Sequence, residues 1–431
     1  MKIIKYPKKD EWSAILKRPE MNHAELFERV EEIIRKTADG GDAALRDFTK
    51  KFDGILLQDI QVLPEEIEAA RDQIDQDLIY AIDEAYENIE RFHKSQICKT
   101  QVIETTPGVR CWQKLVPIEK VGLYIPGGSA PLLSTALMLG IPARLAGCEE
   151  IIMCTPPGVD GKINPIILYI ADLLKIDKIF KVGGAQAIAA MAYGTETIPA
   201  VNKIFGPGNQ FVTAAKVLVS RDKVAIDMPA GPSEVAVVAD KTSVPEFIAS
   251  DLLSQAEHGT DSQVLLLTTD EKIIEEVNTE VEKQLSELPR KEIARESLSN
   301  SRLILLRDRD EMAGMINSYG PEHLIIACAD HYEFAEKIKN AGSVFLGNFT
   351  PESAGDYASG TNHTLPTNGW AHAYSGVNMD SFVKKITFQE ISKYGLLNIS
   401  QTVMCMAEAE DLHAHRNAIS IRINSDDELE Y

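Results

Sequence analysis

Four short segments, far apart along the chain, carry the residue types that bind metals and move protons: Gln255-Ala256-Glu257-His258, Glu322-His323, Ser353-Ala354-Gly355-Asp356 and His413-Ala414-His415. Each supplies an imidazole, a carboxylate or both. With only 9 histidines in 431 residues, their association with acids is informative and points to an enzyme. Gln255 and His258 are three residues apart near the end of a helix-patterned segment, so they share a face and can offer an amide oxygen and an imidazole nitrogen to one cation. The same pair also reads as an ordinary helix end, with His258 before Gly259 favouring the dipole. Asp356 and His415 are of the types that complete an N/O set acceptable to Zn²⁺. Glu322-His323 is a natural general acid/base pair, because imidazole titrates near neutrality; standing alone it would equally be a surface Glu beside a hydrogen-bonded His. Ser233, within Ala230-Gly231-Pro232-Ser233-Glu234, either bonds a polar substrate or ends a turn. His363 lies in a polar stretch and is a site candidate, whereas His372, His331, His93 and His23 read as structural.

Three glycine turns each follow a strand-like run: Tyr124-Ile-Pro-Gly-Gly-Ser-Ala-Pro, Val182-Gly183-Gly184-Ala185-Gln186 and Phe205-Gly206-Pro207-Gly208-Asn209. Such turns let backbone N–H groups approach a phosphate at a helix N-terminus. None is GxGxxG, and each alone is a tight turn. Three at the carboxyl ends of successive parallel strands line the crevice where such sheets bind ligands, which predicts a nucleotide site.

The elements that must position these residues alternate between two periods. The first hundred residues look helical, and Ile67, Ile74, Leu78, Ala81, Ala85 and Ile89 predict one long amphipathic helix from Pro64 to about His93. From residue 119 strands and helices alternate: strands at 121–125, 151–154, 178–182, 203–205 and 224–226, then at 235–239, 264–268, 303–306, 324–326 and 344–346. Intervening helices begin near Pro131, Asn164, Ala185 and Asn209, and then span 245–257, a segment from about 270, 309–318 and 332–340. This is the pattern of two doubly wound parallel α/β units. The expected organisation is a mainly helical arm over 1–118, a first Rossmann-like domain over 119–234, a second over 235–377 and a helical tail over 378–431. Residues 347–377 are polar and without period, and so long a stretch is more often functional than idle. The tail places Glu410, His413 and His415 on or near a final helix.

At 47.6 kDa the chain can bury a large core. Its net charge of −21 argues against a nucleic-acid partner, which needs a basic surface. No stretch approaches the roughly 18 apolar residues of a membrane span, and the first residues lack the apolar core of a signal peptide. Six cysteines (98, 111, 148, 154, 328 and 405) show no CxxC spacing and are too dilute for a disulfide scaffold. A cytoplasmic location is expected.

Together these motifs resemble the histidinol dehydrogenases, NAD-dependent enzymes of the last two steps of histidine biosynthesis. The resemblance rests on VGLYIPGGSAPLLSTALML (121–139), GGAQAIAA (183–190), FGPGN (205–209), AIDMPAGPSEV (225–235), LLSQAEHG (252–259), GPEHLI (320–325), GDYASGTNHTLPT (355–367) and AEAEDLHAHRNAI (407–419). It runs from about residue 25 to 420 with the motifs in order. It implies two incomplete Rossmann-like doubly wound domains of aldehyde-dehydrogenase-like kind, with a helical N-terminal arm and C-terminal tail. It also implies one Zn²⁺ per subunit held by Gln255, His258, Asp356 and His415, and Glu322 and His323 as the acid/base pair. Substrate contacts come from Ser233, His363 and Glu410 besides His323 and the metal ligands, and NAD contacts from Tyr124, Gln186 and Asn209. The implied assembly is a homodimer whose sites take residues from both chains, and the implied substrate is L-histidinol. A cysteine thiohemiacetal is a rival route for the second oxidation, but no cysteine lies in the motifs that carry the site. Two other readings of the same residues are a zinc-dependent lyase or aldolase, which would turn over without change in nicotinamide absorbance, and a nucleotide-binding regulator that has lost its chemistry.

Overall fold

Runs of Val, Ile and Leu without polar interruption become parallel strands, because a strand covered by helices on both faces has no solvated side to mark. The computed structural model describes residues 1–19, 23–97, 99–127, 132–229 and 231–425. Cys98, residues 128–131 of the first glycine turn and Ala230 fall outside these. In chain order the strands among the described residues are β1 (Lys2–Lys5), β2 (Ile103–Thr106), β3 (Val109–Pro117), β4 (Lys120–Tyr124), β5 (Glu150–Cys154), β6 (Lys178–Phe180), β7 (Lys203–Phe205), β8 (Ala225–Ile226), β9 (Glu234–Ala239), β10 (Gln263–Thr268), β11 (Arg302–Leu305), β12 (His323–Ala327), β13 (Ser343–Leu346) and β14 (Val383–Ile391).

Met1–Gln96 and Ile118–Phe382 form one unit, and Ile97–Pro117 and Val383–Tyr431 a second. The first unit holds two parallel sheets, ordered β6-β5-β4-β7-β8 and β1-β11-β10-β9-β12-β13. Each sheet divides its side chains strictly by the two-residue period of a strand. In the larger sheet Val235, Val237, Val264, Leu266, Leu303 and Ile325 enter one core, while Ala236, Val238, Leu265, Leu267, Ile304 and Leu324 enter the opposite one. That alternation has a consequence for the site: His323 lies two residues before Ile325, on the side packed by the helix Pro245–Ala256.

Three segments depart from the sequence reading. The long helix expected over 64–93 is broken: Pro64–Glu68 is one short helix, and Gln76–Lys94 starts anew because the Asp75 carboxylate caps it, accepting from the N–H of Asp77 at 2.9 Å. Lys2–Lys5, read as part of a helical arm, is a strand pairing in parallel with Arg302–Leu305. The stretch 347–377 is not wholly irregular, since Glu352–Tyr357 is helical and Trp370–His372 forms a 3-10 turn.

In the second unit β14, β3 and β2 form an antiparallel sheet, and the helices Lys393–Ala409 and His413–Ile423 complete it. The Trp112 and Phe388 rings stack across β3 and β14, with centroids 5.6 Å apart. No helix among the described residues is long and apolar enough to cross a membrane.

Leu266 is fully buried on β10, in the interior of the larger sheet. Leu266→Ala is expected to destabilise the first unit by about 2–5 kcal/mol, read as a lowered midpoint in denaturant unfolding; a change under about 1 kcal/mol would mean that this core collapses around the lost side chain.

Candidate active site

One cavity of about 900 Å³ gathers residues from both sheets of the first unit. From the smaller sheet comes the turn after β7, Gly206 to Asn209. From the larger come Ser233, just before β9, and Glu322, just before β12, together with His258 and His363. The smaller sheet thus offers carboxyl strand ends, the usual ligand edge of an open parallel sheet, whereas the larger offers amino ends.

Glu322 and His323 are brought together and buried. Imidazole Nδ1 lies 3.7 Å from Glu322 Oε2 and 3.3 Å from the Glu234 carbonyl oxygen, and the Glu234 N–H donates to Glu322 Oε2 at 2.9 Å. Two further carboxylates face the ring: Glu352 Oε1 at 3.9 Å from Nδ1, and Asp356 Oδ1 at 3.6 Å from Nε2. Glu352 and Asp356 are four apart on the helix Glu352–Tyr357 and so share a face. Burial raises the Glu322 carboxyl to about 8 despite the opposing pull of His323. Burial works against a charged His323, yet Glu352, Glu322 and Asp356 outweigh it and lift the imidazole to about 10. Burial also pushes Glu352 well above the usual carboxylate range. For Asp356 the burial penalty is overcome by His323, which holds the carboxyl below its ordinary value.

The expected metal ligands are only partly assembled within this unit. Gln255 sits in the last turn of the helix Pro245–Ala256, and His258 follows that helix, its N–H donating to the Gln255 carbonyl at 3.3 Å. With its NH₂ toward Glu352, the Gln255 amide donates to Glu352 Oε2 at 3.2 Å and accepts from the Glu234 N–H at 3.1 Å. Burial lowers the basicity of His258, although Asp356 opposes this, so the ring is kept in the neutral form that binds metals. Asp356 Oδ1 is buried without a hydrogen-bond partner. An amide oxygen, a neutral imidazole and an unshared carboxylate oxygen fit Zn²⁺. A compact group able to hold an ion comprises His323, Glu352 and Asp356, their ligand atoms within 4.8 Å of one another. His363 contributes a second neutral ring: burial lowers it to about 4, its Nδ1 lies 4.0 Å from Asp356 Oδ1, and its Nε2 lies 3.3 Å from the Thr135 hydroxyl. Glu410 and His415 belong to the second unit, where Glu410 ends the helix Lys393–Ala409 and His415 lies in the helix His413–Ile423, both exposed.

The expected cofactor residues occupy defined positions. Asn209 caps the helix Gln210–Val219, its side-chain oxygen accepting from Phe211 N–H at 3.0 Å and Val212 N–H at 3.2 Å. Gly206 has φ of 129°, and a Cβ there would overlap the Tyr124 carbonyl oxygen, so the turn requires glycine. Its two peptide groups are both held: the N–H donates to Asp227 Oδ2 at 2.8 Å, and the carbonyl accepts from Lys216 Nζ at 2.8 Å. Lys216 and Asp227 form a buried ion pair. Tyr124 is buried, its hydroxyl oxygen accepting from the Gly184 N–H at 3.0 Å, and burial pushes the phenol up to about 12. Gln186 is buried in the helix Gly184–Tyr193. Among the described cysteines all are free, and burial raises the thiols of Cys148 and Cys328 to about 12 and that of Cys154 further still. The sequence reading missed Glu234, Glu352 and Asp251. The four-residue spacing of Glu352 and Asp356 was the available signal for one of them.

A family model for histidinol dehydrogenase matches residues 16–423. The histidinol dehydrogenase of Bacteroides thetaiotaomicron is 58% identical over 425 residues, covering 99% of each chain. That of Salmonella typhimurium is 51% identical over 415 residues, covering 96% of this chain and 95% of the relative. The crystal structure of histidinol dehydrogenase from Elizabethkingia anophelis superposes with a TM-score of 0.96 at 55% identity over 98% of each chain.

Asp251 lies in the helix Pro245–Ala256, and burial raises its carboxyl from 3.8 to about 7. Between those values the folded state holds a proton that the unfolded chain releases, so this group's contribution to stability falls as pH rises through the window. Asp251→Asn, which cannot ionise, is expected to gain about 2–3 kcal/mol on the natural chain between pH 5 and pH 8. Parallel unfolding curves at the two pH values test this; an unchanged difference would show that Asp251 ionises freely in the folded state.

Proposed function

The chain belongs to the histidinol dehydrogenase family, and from that premise we propose how its own residues carry the family's reaction, the four-electron oxidation of L-histidinol to L-histidine through L-histidinal with reduction of two NAD⁺. One observation carries the reading: a single cavity is lined both by the glycine turn at Asn209 and by Ser233, His258, Glu322 and His363.

When bound, NAD⁺ would supply a hydride acceptor for each oxidation and Zn²⁺ a Lewis acid to orient the amino alcohol. Gln255, His258, Asp356 and His415 would hold the metal. His323 accepts the hydroxyl proton of the alcohol in the first oxidation, after giving up the proton that the neighbouring carboxylates hold on it. Glu322, whose raised carboxyl suits proton transfer near neutrality, accepts a proton from the water that adds to the aldehyde in the second. Ser233, His363 and Glu410 bind the substrate's polar groups alongside the metal ligands, and His363 does so as a neutral ring. Asn209 meets NAD at the helix end that it caps, Tyr124 keeps its hydroxyl proton for donation, and Gln186 contributes from the adjoining helix. The high thiol basicity of Cys148, Cys154 and Cys328 favours water over a thiohemiacetal.

The working form is a homodimer with sites shared between chains. Glu410 and His415 are exposed on the second unit and available to a second copy, as are the exposed apolar side chains Phe388, Ile391, Leu397, Met406 and Ile421. Free cysteines throughout the described residues suit a cytoplasmic enzyme.

Absorbance of reduced nicotinamide tests the reaction: two NADH per L-histidinol are expected, lost on chelation and restored by Zn²⁺. One NADH would stop the oxidation at the aldehyde, and none would remove the substrate assignment. His323→Asn is expected to slow turnover on the order of 10²–10⁴-fold with NAD⁺ binding kept; wild-type turnover would remove His323 from its role. Replacing Cys111, Cys148 and Cys154 together by Ser or Ala should leave both oxidations near the natural rate, and selective loss of the second in a folded variant would overturn the water route.

A further inference from the structure

Glu234 touches both members of the acid/base pair through its backbone: its N–H donates to Glu322 Oε2 at 2.9 Å, and its carbonyl oxygen lies 3.3 Å from His323 Nδ1. The Glu234 side chain points elsewhere and is held by three N–H donors from two residues. Arg18 grips it with two nitrogens, Nε on Oε1 and Nη2 on Oε2 at 2.8 Å, and the Asn368 N–H donates to Oε1 at 2.8 Å. The guanidinium is itself fixed. It lies over the Tyr319 ring, 3.9 Å from the centroid, and Nη2 also donates to the Tyr319 carbonyl at 2.9 Å. Tyr319 is anchored in turn, its hydroxyl donating to Gln263 Oε1 at 2.9 Å. The side chains of Arg18 and Glu234 are only 18% and 3% exposed.

We propose that Arg18 is a positioning residue for the Glu322–His323 pair, acting through Glu234. A bidentate grip fixes the orientation of a carboxylate as well as its charge. With that carboxylate fixed, the peptide groups on either side of the Glu234 Cα are aimed at Glu322 and His323, and the proton acceptors of both oxidations keep their spacing. Lysine at position 18 would preserve a positive charge against Glu234 but lose the two-pronged grip and the stacking on Tyr319. The role rests on the assignment of Glu322 and His323 as the proton-transfer pair.

The test compares Arg18→Lys, His323→Asn and the double variant in the metallated enzyme, with thermal midpoints recorded alongside. For Arg18→Lys, kcat is expected to fall about tenfold, with KM for NAD⁺ and for histidinol within about twofold of natural. In the double variant Arg18→Lys should cost less than about twofold beyond His323→Asn alone, because the geometry it supports no longer serves a base. A full tenfold further loss on that background would mean that Arg18 supports the fold generally and would overturn the proposal. So would natural kcat in Arg18→Lys while His323→Asn is slow. Natural turnover in His323→Asn overturns the assignment of the pair itself, and the role of Arg18 with it.

Discussion

Glu322, Glu352 and Asp356 crowd one imidazole in the interior of the first unit, Glu234 is buried beside them, and carboxylates do not stay ionised away from water without partners. Much of the surrounding structure answers that demand. Arg18 and Asn368 serve Glu234, the Glu234 N–H serves Glu322, and the Gln255 amide serves Glu352. His323 sits among the rest and is held strongly protonated by them. Of these acids, Asp356 keeps a buried oxygen without a hydrogen-bond partner. It is one of three carboxylates that hold the proton on His323, after Glu352 and Glu322.

The two sheets divide the work according to what their edges can offer. Beyond β7 the backbone itself lines the cavity: Gly206 must lack a side chain, and its N–H and carbonyl are tied down by Asp227 and Lys216. At the start of β12, strand alternation places His323 on the face covered by the helix Pro245–Ala256, and Glu322 reaches the same cluster from just before the strand. A rigid turn suits a cofactor bound by shape, while a cluster of interacting titratable groups suits proton transfer.

The strand and helix pattern was legible from the sequence because the parallel strands are continuous aliphatic runs. The segments 64–94 and 383–391 were not, for different physical reasons. In the first, Asp75 caps a new helix inside a pattern that otherwise reads as one. In the second, β14 lies in a small antiparallel sheet whose side chains are largely exposed, so it lacks a buried alternation. The site was legible where chemistry is concentrated in unusual residues, as at Glu322-His323, Gln255/His258 and Asp356. Glu352 and Glu234 look in sequence like ordinary acids among 65 Asp and Glu. Their burial is a property of the fold, and Arg18 meets Glu234 across 216 positions, a separation that no local pattern reveals.

Pairing of Lys2–Lys5 with Arg302–Leu305 joins two strands about three hundred positions apart in the sequence. Contacts of such long span form slowly, and this one cannot form at all until most of the chain has been synthesised. The smaller sheet, whose strands all lie between 120 and 226, can assemble while translation continues. In the larger sheet β1 must wait unpaired until β11 has been made, and with it waits the segment that carries Arg18. The turn from Gly206 to Asn209 can therefore form well before the Arg18–Glu234 contact and the cluster around His323, whose residues come from both ends of the unit.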